Sequence, residues 1–329
     1  MLQADTPALV LAPMDGITDA PMRSLQGAFG AFTFAVTEFL RVTQLPIPRK
    51  VFEREVPELR NGSRTLTGLP VQVQILGGDP QAMAESAATA CRAGATGIDI
   101  NFGCPAPTVN RHDGGATILK HPQRIRDIVS AVRSAVPPKI PVSAKLRLGW
   151  DCIDEVYENA AMAEEGGASW LTIHARTRTQ GYTPPVFWKP LGEVRESLTI
   201  PLVANGDIWT IDDFRRCRDE TGCRHFMLGR GALANPALPF QVAAALGLPC
   251  LPQTPSWVPL LRGLVEHSQA QGGYSESRRL KRLKQWLKLA SRFGDFRDFD
   301  SVKRVDTEEE FFAALTSVEA QVPLTLVTQ

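Results

Sequence analysis

The sequence predicts an α/β fold, a barrel of eight parallel strands followed by a small all-helical C-terminal domain, on three observations. Eight short runs, apolar and rich in β-branched residues, recur along the first 247 residues. Helical segments lie between most of them, as parallel strand connections require. Residues 248–259 (LPCLPQTPSWVP) then hold four prolines, which can neither continue a helix nor pair as a central strand. No convincing strand follows before about residue 321. Such alternation over ~250 residues is the pattern of a TIM (β/α)8 barrel. The rival, a doubly wound open sheet, lacks the G-x-G-x-x-G turn after its first strand. The expected domains are a barrel over 1–247, a linker over 248–259, a helical domain over 260–318 and a tail over 319–329.

The strand runs are LVLAPM (9–14), FTFAVTEF (32–39), VQVQILG (71–77), GIDINFG (97–103), VSAKLRLG (142–149), WLTIHART (170–177), PLVANGDI (201–208) and HFMLGRGA (225–232). The clearest helix starts at Asp79-Pro80, an N-cap followed by proline at the first helical position, and stops at Gly94. Others are expected over 122–136, 153–165, 210–221 and 236–246. Residues 40–70 give no clear assignment, and 305–329 read as a last helix and a loose tail.

Lys and Arg number 36 against 35 Asp and Glu, a net charge of +1. That balance excludes a uniformly basic nucleic-acid coat and an acidic solvating tail, but not a local patch. Apolar residues at 43% and charged residues at 22% fit a globular chain with a sizeable core. No apolar run approaches the ~18 residues of a membrane span. The opening MLQADTPALVLAP lacks the basic and long apolar regions of a signal peptide, so a cytoplasmic protein is expected. Six cysteines form no C-x-x-C pair, which reads as reduced thiols rather than a disulfide framework or a metal site.

Five strands carry polar residues at spacing two, on one face: Gln72 and Gln74, Asp99 and Asn101, Lys145 and Arg147, His174 and Arg176, Asn205 and Asp207. Most stand in the C-terminal half of their strand, the active-site end of such a barrel. One pair can be a satisfied polar layer. Five together point to a polar ligand, because uncompensated buried charge is expensive. Asn205-Gly206-Asp207 and Gly229-Arg230-Gly231 follow strands seven and eight, the usual phosphate-binding loops. Phosphate plus a polar ring system fits FMN; a phosphosugar fits as well. Cys104 is the one cysteine at a predicted top-face strand end, while Cys91, Cys217 and Cys223 read as packing. With an ordinary thiol pKa of ~8.5 it would be protonated at neutral pH and able to act as an acid. A nucleophile would need a base; His112 is nearest in sequence, and no spacing places it.

Residues 278–304 carry ten basic and three acidic residues. At ~100° per residue, Arg278, Lys281, Arg282, Lys284, Lys288 and Arg292 fall on one side of a helix, with Leu280, Leu283, Trp286, Leu287, Ala290 and Phe293 on the other. A solvated face usually mixes signs. Here no acidic residue falls between 278 and 292, which favours phosphate binding.

Together these residues resemble the tRNA-dihydrouridine synthase family. The segments that carry the resemblance are APMDG (12–16), VTEFLRV (36–42), VQILG (73–77), DINFGCPAPTVNRHDGGA (99–116), SAKLRLGW (143–150), IHARTRTQGY (173–182), ANGDI (204–208) and LGRGAL (228–233). VTEFLRV, KLRLGW and the C-terminal RLKQWLKL (282–289) are most similar to the subgroup acting on uridine sixteen of tRNA. The resemblance implies an enzyme with an FMN-binding barrel and a helical domain that reduces the uracil C5=C6 bond with NADPH. It implies that Pro13, Met14 and Asp15 line the flavin, Gln74 bonds its ring edge, and Lys145 and His174 stand beside it. Asn205, Gly206, Asp207, Gly229 and Arg230 would receive the ribityl chain and phosphate. Cys104 would give a proton to C5 of the uracil. Asn101 and Arg147 would place the uracil, with Arg176 in the same substrate-binding set. Arg41, Arg282 and Lys284 are implied tRNA contacts, and Arg278 joins them from the basic face. The expected partners are thus tRNA and NADPH, with no metal, no membrane and a monomeric chain. Phe102 and Asp113 depart from the pattern, the latter standing where a glycine is expected. The alternatives are a small-molecule FMN reductase of dihydroorotate-dehydrogenase type, which leaves the basic helix unexplained, and a non-enzymatic tRNA-binding module.

Overall fold

The computed structural model describes residues 1–3, 5–111, 113–251 and 253–319. His112 and the tail from residue 320 lie outside them. The strands are β1 (Ala8–Leu11), β2 (Phe34–Val36), β3 (Leu40–Arg41), β4 (Val71–Leu76), β5 (Ile98–Asn101), β6 (Val142–Arg147), β7 (Leu171–His174), β8 (Leu202–Asn205) and β9 (His225–Leu228). Every pairing is parallel, and β1, β2, β4, β5, β6, β7, β8 and β9 close into one ring. Closure removes the sheet edges.

The predicted run 32–39 is interrupted. Its ladder stops at Val36 and resumes as the two-residue β3 beside β4. The reason is local. The Gln74 N–H donates to Thr37 Oγ1 at 2.9 Å, so a side chain takes a bond the ladder would otherwise make. The next residue, Glu38, is thereby freed to accept from the Ile17 N–H at 3.0 Å.

The helices are α1 (Ala20–Ala28), α2 (Arg49–Glu55), α3 (Pro80–Arg92), α4 (Pro107–Asn110), α5 (Pro122–Ala135), α6 (Glu155–Glu165), α7 (Lys189–Ser197), α8 (Ile211–Thr221), α9 (Arg230–Ala234), α10 (Leu238–Ala245), α11 (Trp257–Gln271), α12 (Glu276–Phe293), α13 (Phe299–Val302) and α14 (Glu308–Glu319). Asp79 caps α3 by accepting from the Ala82 N–H at 2.7 Å. Asp19 caps α1 in the same way, with proline in its first turn. That signal stood in the sequence and the helix went unassigned.

Val73, Ile75, Ile98 and Ile100 face outward into the layer between barrel and helices. Val10, Phe34, Trp170, Val203 and Met227 form a second cluster, near the N-terminal Met1 and Leu2. Above it the barrel interior turns polar, through Gln72, Gln74, Asp99, Asn101, Ser143, His174 and Asn205.

Helix α11 begins at Trp257, inside the proline-rich segment, so Pro259 falls in its first turn, where its missing N–H leaves no bond unmade. The C-terminal helices share a core with the barrel's own helices. Met22 and Leu25 of α1 and Leu233 of α9 pack with Leu261, Leu264, Leu283, Trp286 and Leu287. Trp286 donates its indole N–H to the Leu233 carbonyl at 2.9 Å. A Cβ on Gly294 would lie 2.1 Å from the Ala234 carbonyl oxygen, so only glycine permits this approach of α12 to α9.

One buried ion pair ties α1 to the irregular segment before β4. Arg23 contacts Glu58 Oε1 through Nη2 at 2.7 Å and Nε at 2.8 Å, and donates to the Thr18 carbonyl at 2.6 Å. Both side chains are almost fully buried. Glu58→Ala is expected to cost about 3–5 kcal/mol, because it strands a buried guanidinium. Denaturant unfolding measures this; a loss below about 1 kcal/mol, the range of surface pairs, contradicts it.

Candidate active site

A cavity of about 620 Å³ opens at the C-terminal end of the barrel strands. Its lining contains Pro13, Met14 and Asp15 after β1, Gln74 of β4, Asn101 of β5 with Cys104 just beyond, and Lys145 and Arg147 of β6. His174 of β7, Asn205, Gly206 and Asp207 at β8, and Gly229 and Arg230 after β9 complete it. Strand register explains the convergence. Gln74 lies beside Asp99, Asn101 beside Lys145, Arg147 beside His174, and His174 beside Asn205.

A chain of polar side chains crosses the barrel toward Cys104. Gln72 donates to Ser143 Oγ at 2.9 Å, and Ser143 donates to Asp99 Oδ1 at 2.5 Å. Gln74 Nε2 donates to Asp99 Oδ2 at 2.7 Å, and Asn101 Nδ2 donates to Gln74 Oε1 at 2.8 Å. Asn101 Oδ1 then accepts the Gly103 and Cys104 N–H groups, each at 2.9 Å. On its other side the Cys104 carbonyl accepts from the Ala116 N–H and from Asn110 Nδ2, both at 3.2 Å. Burial pushes the Cys104 thiol above its ordinary pKa, so it is a thiol at neutral pH.

Arg147 braces the loops around it, donating to the carbonyls of Gly103 at 2.8 Å, Thr177 at 3.0 Å and Gly181 at 2.8 Å. Lys145 donates to Asn205 Oδ1 at 3.1 Å, and burial followed by the Arg147 charge lowers its ammonium to about 8. His174 is held neutral by burial and by the surrounding cations. Its buried Nδ1 has no protein partner among the described residues. A polar site with surplus positive charge and an orphaned imidazole nitrogen fits a polar ring system carrying a phosphate, as FMN provides.

At the phosphate end, Asp207 adopts a left-handed backbone with φ 47° and accepts from Arg176 Nη1 at 2.8 Å and Arg230 Nη2 at 3.4 Å. Arg176, expected in the substrate-binding set, stands outside the cavity. Its side chain is fully buried behind Asp207 and absent from the cavity wall. Past His174 the chain has left the ladder, so spacing two no longer points inward.

Asp113 has φ 57°, the conformation that favours glycine, and offsets that cost with an ion pair to Arg124 at 2.6 Å. Phe102 is buried against the barrel's outer layer.

Helix α12 exposes Arg278, Lys281, Lys288 and Arg292, and Arg41 stands exposed at the end of β3. Two residues of the expected basic face are engaged within the protein instead. Arg282 lies one turn before the buried Trp286 and turns inward, its guanidinium bonding the Gly16 and Ile17 carbonyls and Asp19 Oδ1. Lys284 donates to the Val305 carbonyl.

Sequence reasoning missed Glu38, Phe39, Tyr182 and Trp209. Phe39, Tyr182 and Trp209 line the cavity. Trp209 stacks on Phe293 of α12 with centroids 5.0 Å apart, and Arg230 lies over Tyr182 at 4.4 Å. Tyr182 and Trp209 follow strand ends, a signal that reading polar residues alone overlooked.

Burial, then the Asp19 carboxylate, raises Glu38 to about 7. The folded state therefore holds a proton that the unfolded state releases between pH 4.5 and about 7. Glu38 stabilises the fold fully below that window and loses the contribution as pH rises through it. Glu38→Gln is expected to flatten this part of the stability–pH curve, read by unfolding at intervals between pH 4.5 and 7. An unchanged slope contradicts the assignment.

The family model described as dihydrouridine synthase (Dus) matches residues 10–281. A tRNA-dihydrouridine(16) synthase of Pseudomonas putida is 44% identical over 95% of this chain and 98% of its own length. One from Shewanella oneidensis is 43% identical over 86% of this chain and 89% of its own. Among solved structures, a 2-naphthoyl-CoA reductase complex has a TM-score of 0.55 at 13% identity, covering 72% of this chain and 50% of that one, a likeness of fold. Built on a parallel barrel with Cys104 at the mouth of its cavity, and matched over most of its length, the chain belongs to the dihydrouridine synthase family.

Proposed function

We infer that this chain reduces the C5=C6 bond of a tRNA uridine, at position 16, to 5,6-dihydrouridine, with FMN as its cofactor and NADPH as reductant. The observation that carries this reading is the placement of one protonated thiol, Cys104, in the lining of a single cavity with Lys145, Arg147, His174 and Arg230. The relatives' names supply the position, sixteen. The small-molecule alternative is not favoured, since those relatives match nearly end to end and act by name on tRNA.

When bound, FMN supplies the hydride equivalent that adds to uracil C6. The chain's residues do the rest. Pro13, Met14, Asp15 and Gln74 would hold the flavin ring, Lys145 would set a positive charge beside it, and Asn205, Gly206, Asp207, Gly229 and Arg230 would take the ribityl chain and phosphate. As electron density builds at C5, the Cys104 thiol delivers its proton there and becomes a thiolate, which solvent reprotonates. Asn101 and Arg147 hold the loop on which the thiol is carried. The uracil reaches this depth only when turned out of its stack.

The C-terminal helices act as the tRNA-binding domain, gripping phosphates through Arg278, Lys281, Lys288 and Arg292, with Arg41 on the barrel rim. Arg282 and Lys284 serve that surface by fixing the helix rather than by touching RNA. Among the described residues no helix is long and apolar enough to cross a membrane, and no cluster could hold a metal. A monomer in the cytoplasm is the proposed setting.

Cys104→Ala is expected to abolish dihydrouridine formation, a loss of about 10²-fold or more, while FMN content and tRNA affinity stay within about twofold of wild type. Mass mapping of tRNA reads the product, and full activity overturns the proton-donor role. Lys281→Ala with Lys288→Ala is expected to weaken tRNA binding and lower the salt slope by about 1 per residue. An unchanged slope places the RNA elsewhere.

A further inference from the structure

We propose that Asp99 sets the position of the Cys104 loop by fixing, through its carboxylate, the orientation of two amide side chains, Gln74 and Asn101. The inference deepens the reading of Cys104 as the working thiol and concerns how that thiol is held.

Asp99 touches neither the cavity nor Cys104. It is buried on β5, between Ser143 and Gln74. Burial raises its carboxyl to about 6, with the Ser143 and Gln74 bonds and the Lys145 charge pulling it back, so it is ionised at pH 7.5. An ionised carboxylate only accepts hydrogen bonds. Gln74 must therefore turn its Nε2 to Asp99 Oδ2 and its Oε1 away. That oxygen then demands a donor, and Asn101 supplies Nδ2. Asn101 Oδ1 is thereby left toward Gly103 and Cys104, whose backbone N–H groups only donate. Both ends of the chain admit a single polarity, and the two ends agree. Reversing Asn101 would set N–H against N–H at the Cys104 loop, and reversing Gln74 would set its oxygen against the Asp99 carboxylate and its N–H against Asn101 Nδ2; either leaves buried polar groups unmet.

The loop has little other freedom. Gly115, at φ 60°, sits where a Cβ would come within 3.0 Å of the Cys104 carbonyl oxygen and 3.2 Å of its Cβ. The loop's carbonyls are held by Arg147, Ala116 and Asn110, while the Gly103 and Cys104 N–H groups are taken by Asn101 Oδ1, whose direction is inherited from Asp99.

The test is a charge swap. Asp99→Asn lets position 99 present a donor, so the chain can reverse. Gln74→Glu sets two carboxylates face to face. Together they restore the original polarity. The carboxylate introduced at position 74 would accept from the new amide at one oxygen and from Asn101 Nδ2 at the other, and Ser143 would still donate to position 99. The readout is the rate at which iodoacetamide alkylates Cys104 in the FMN-loaded enzyme at pH 7.5, followed on its peptide by mass spectrometry. Each single variant is expected to speed alkylation about fivefold or more, and the double variant to return within about twofold of wild type. Single variants that match wild type, or a double variant as reactive as the singles, overturn the proposal. Should a single variant fail to fold, recovery of folded protein in the double supports it, and a double that folds no better overturns it. Alkylation of the thiol does not require that Cys104 be the proton donor, so failure of the swap and failure of the Cys104→Ala test are separate results.

Discussion

Lys145 and Arg147 stand two residues apart on one strand, both turned into the barrel, and most of the site answers to that concentration of positive charge. Arg147 is tolerated because three backbone carbonyls accept its fork, and in accepting they become braced loops. Lys145 finds Asn205 and the more distant charge of Asp99. His174 cannot take a proton in such company and stays neutral. The ligand such a site favours is anionic, and the same cations that invite it hold the loops through which it enters.

The second organising fact is that α12 backs the residues lining this site as well as presenting a basic surface. Arg282 binds the loop that carries Met14 and Asp15, Trp286 reaches α9, and Phe293 stacks on Trp209 beside Arg230. The helix that carries the exposed cations thus also touches residues lining the cavity.

Much of this was legible in the residues. Period-two polarity on five strands located the barrel's top, because an inward side chain at that depth must meet a ligand or a partner. It overran by two residues at Arg176, since sequence spacing carries on where the ladder ends and the chain turns away. The helical wheel gave the basic face but drew its edge wrongly at Arg282. One turn separates that residue from Trp286, and its long stem can lie along a buried stripe while its head bonds carbonyls of a distant loop. Glu38 left no local trace at all. Its environment is made by Asp15, Asp19 and Arg282, which only the fold brings together. The break after β2 was equally silent, for it depends on a threonine hydroxyl capturing an amide on another strand.

The core of the C-terminal helices is built partly from α1 and α9 of the barrel, and Gly294 is pressed against Ala234. Such a domain is not a cassette. Transplanting these helices onto another barrel, to redirect it to a different nucleotide, would leave Trp286 and Leu283 without the surface they were shaped on. The packing unit is shared between the barrel and these helices, and a chimera that kept it would have to cross over inside α1 and α9 rather than at the proline-rich segment.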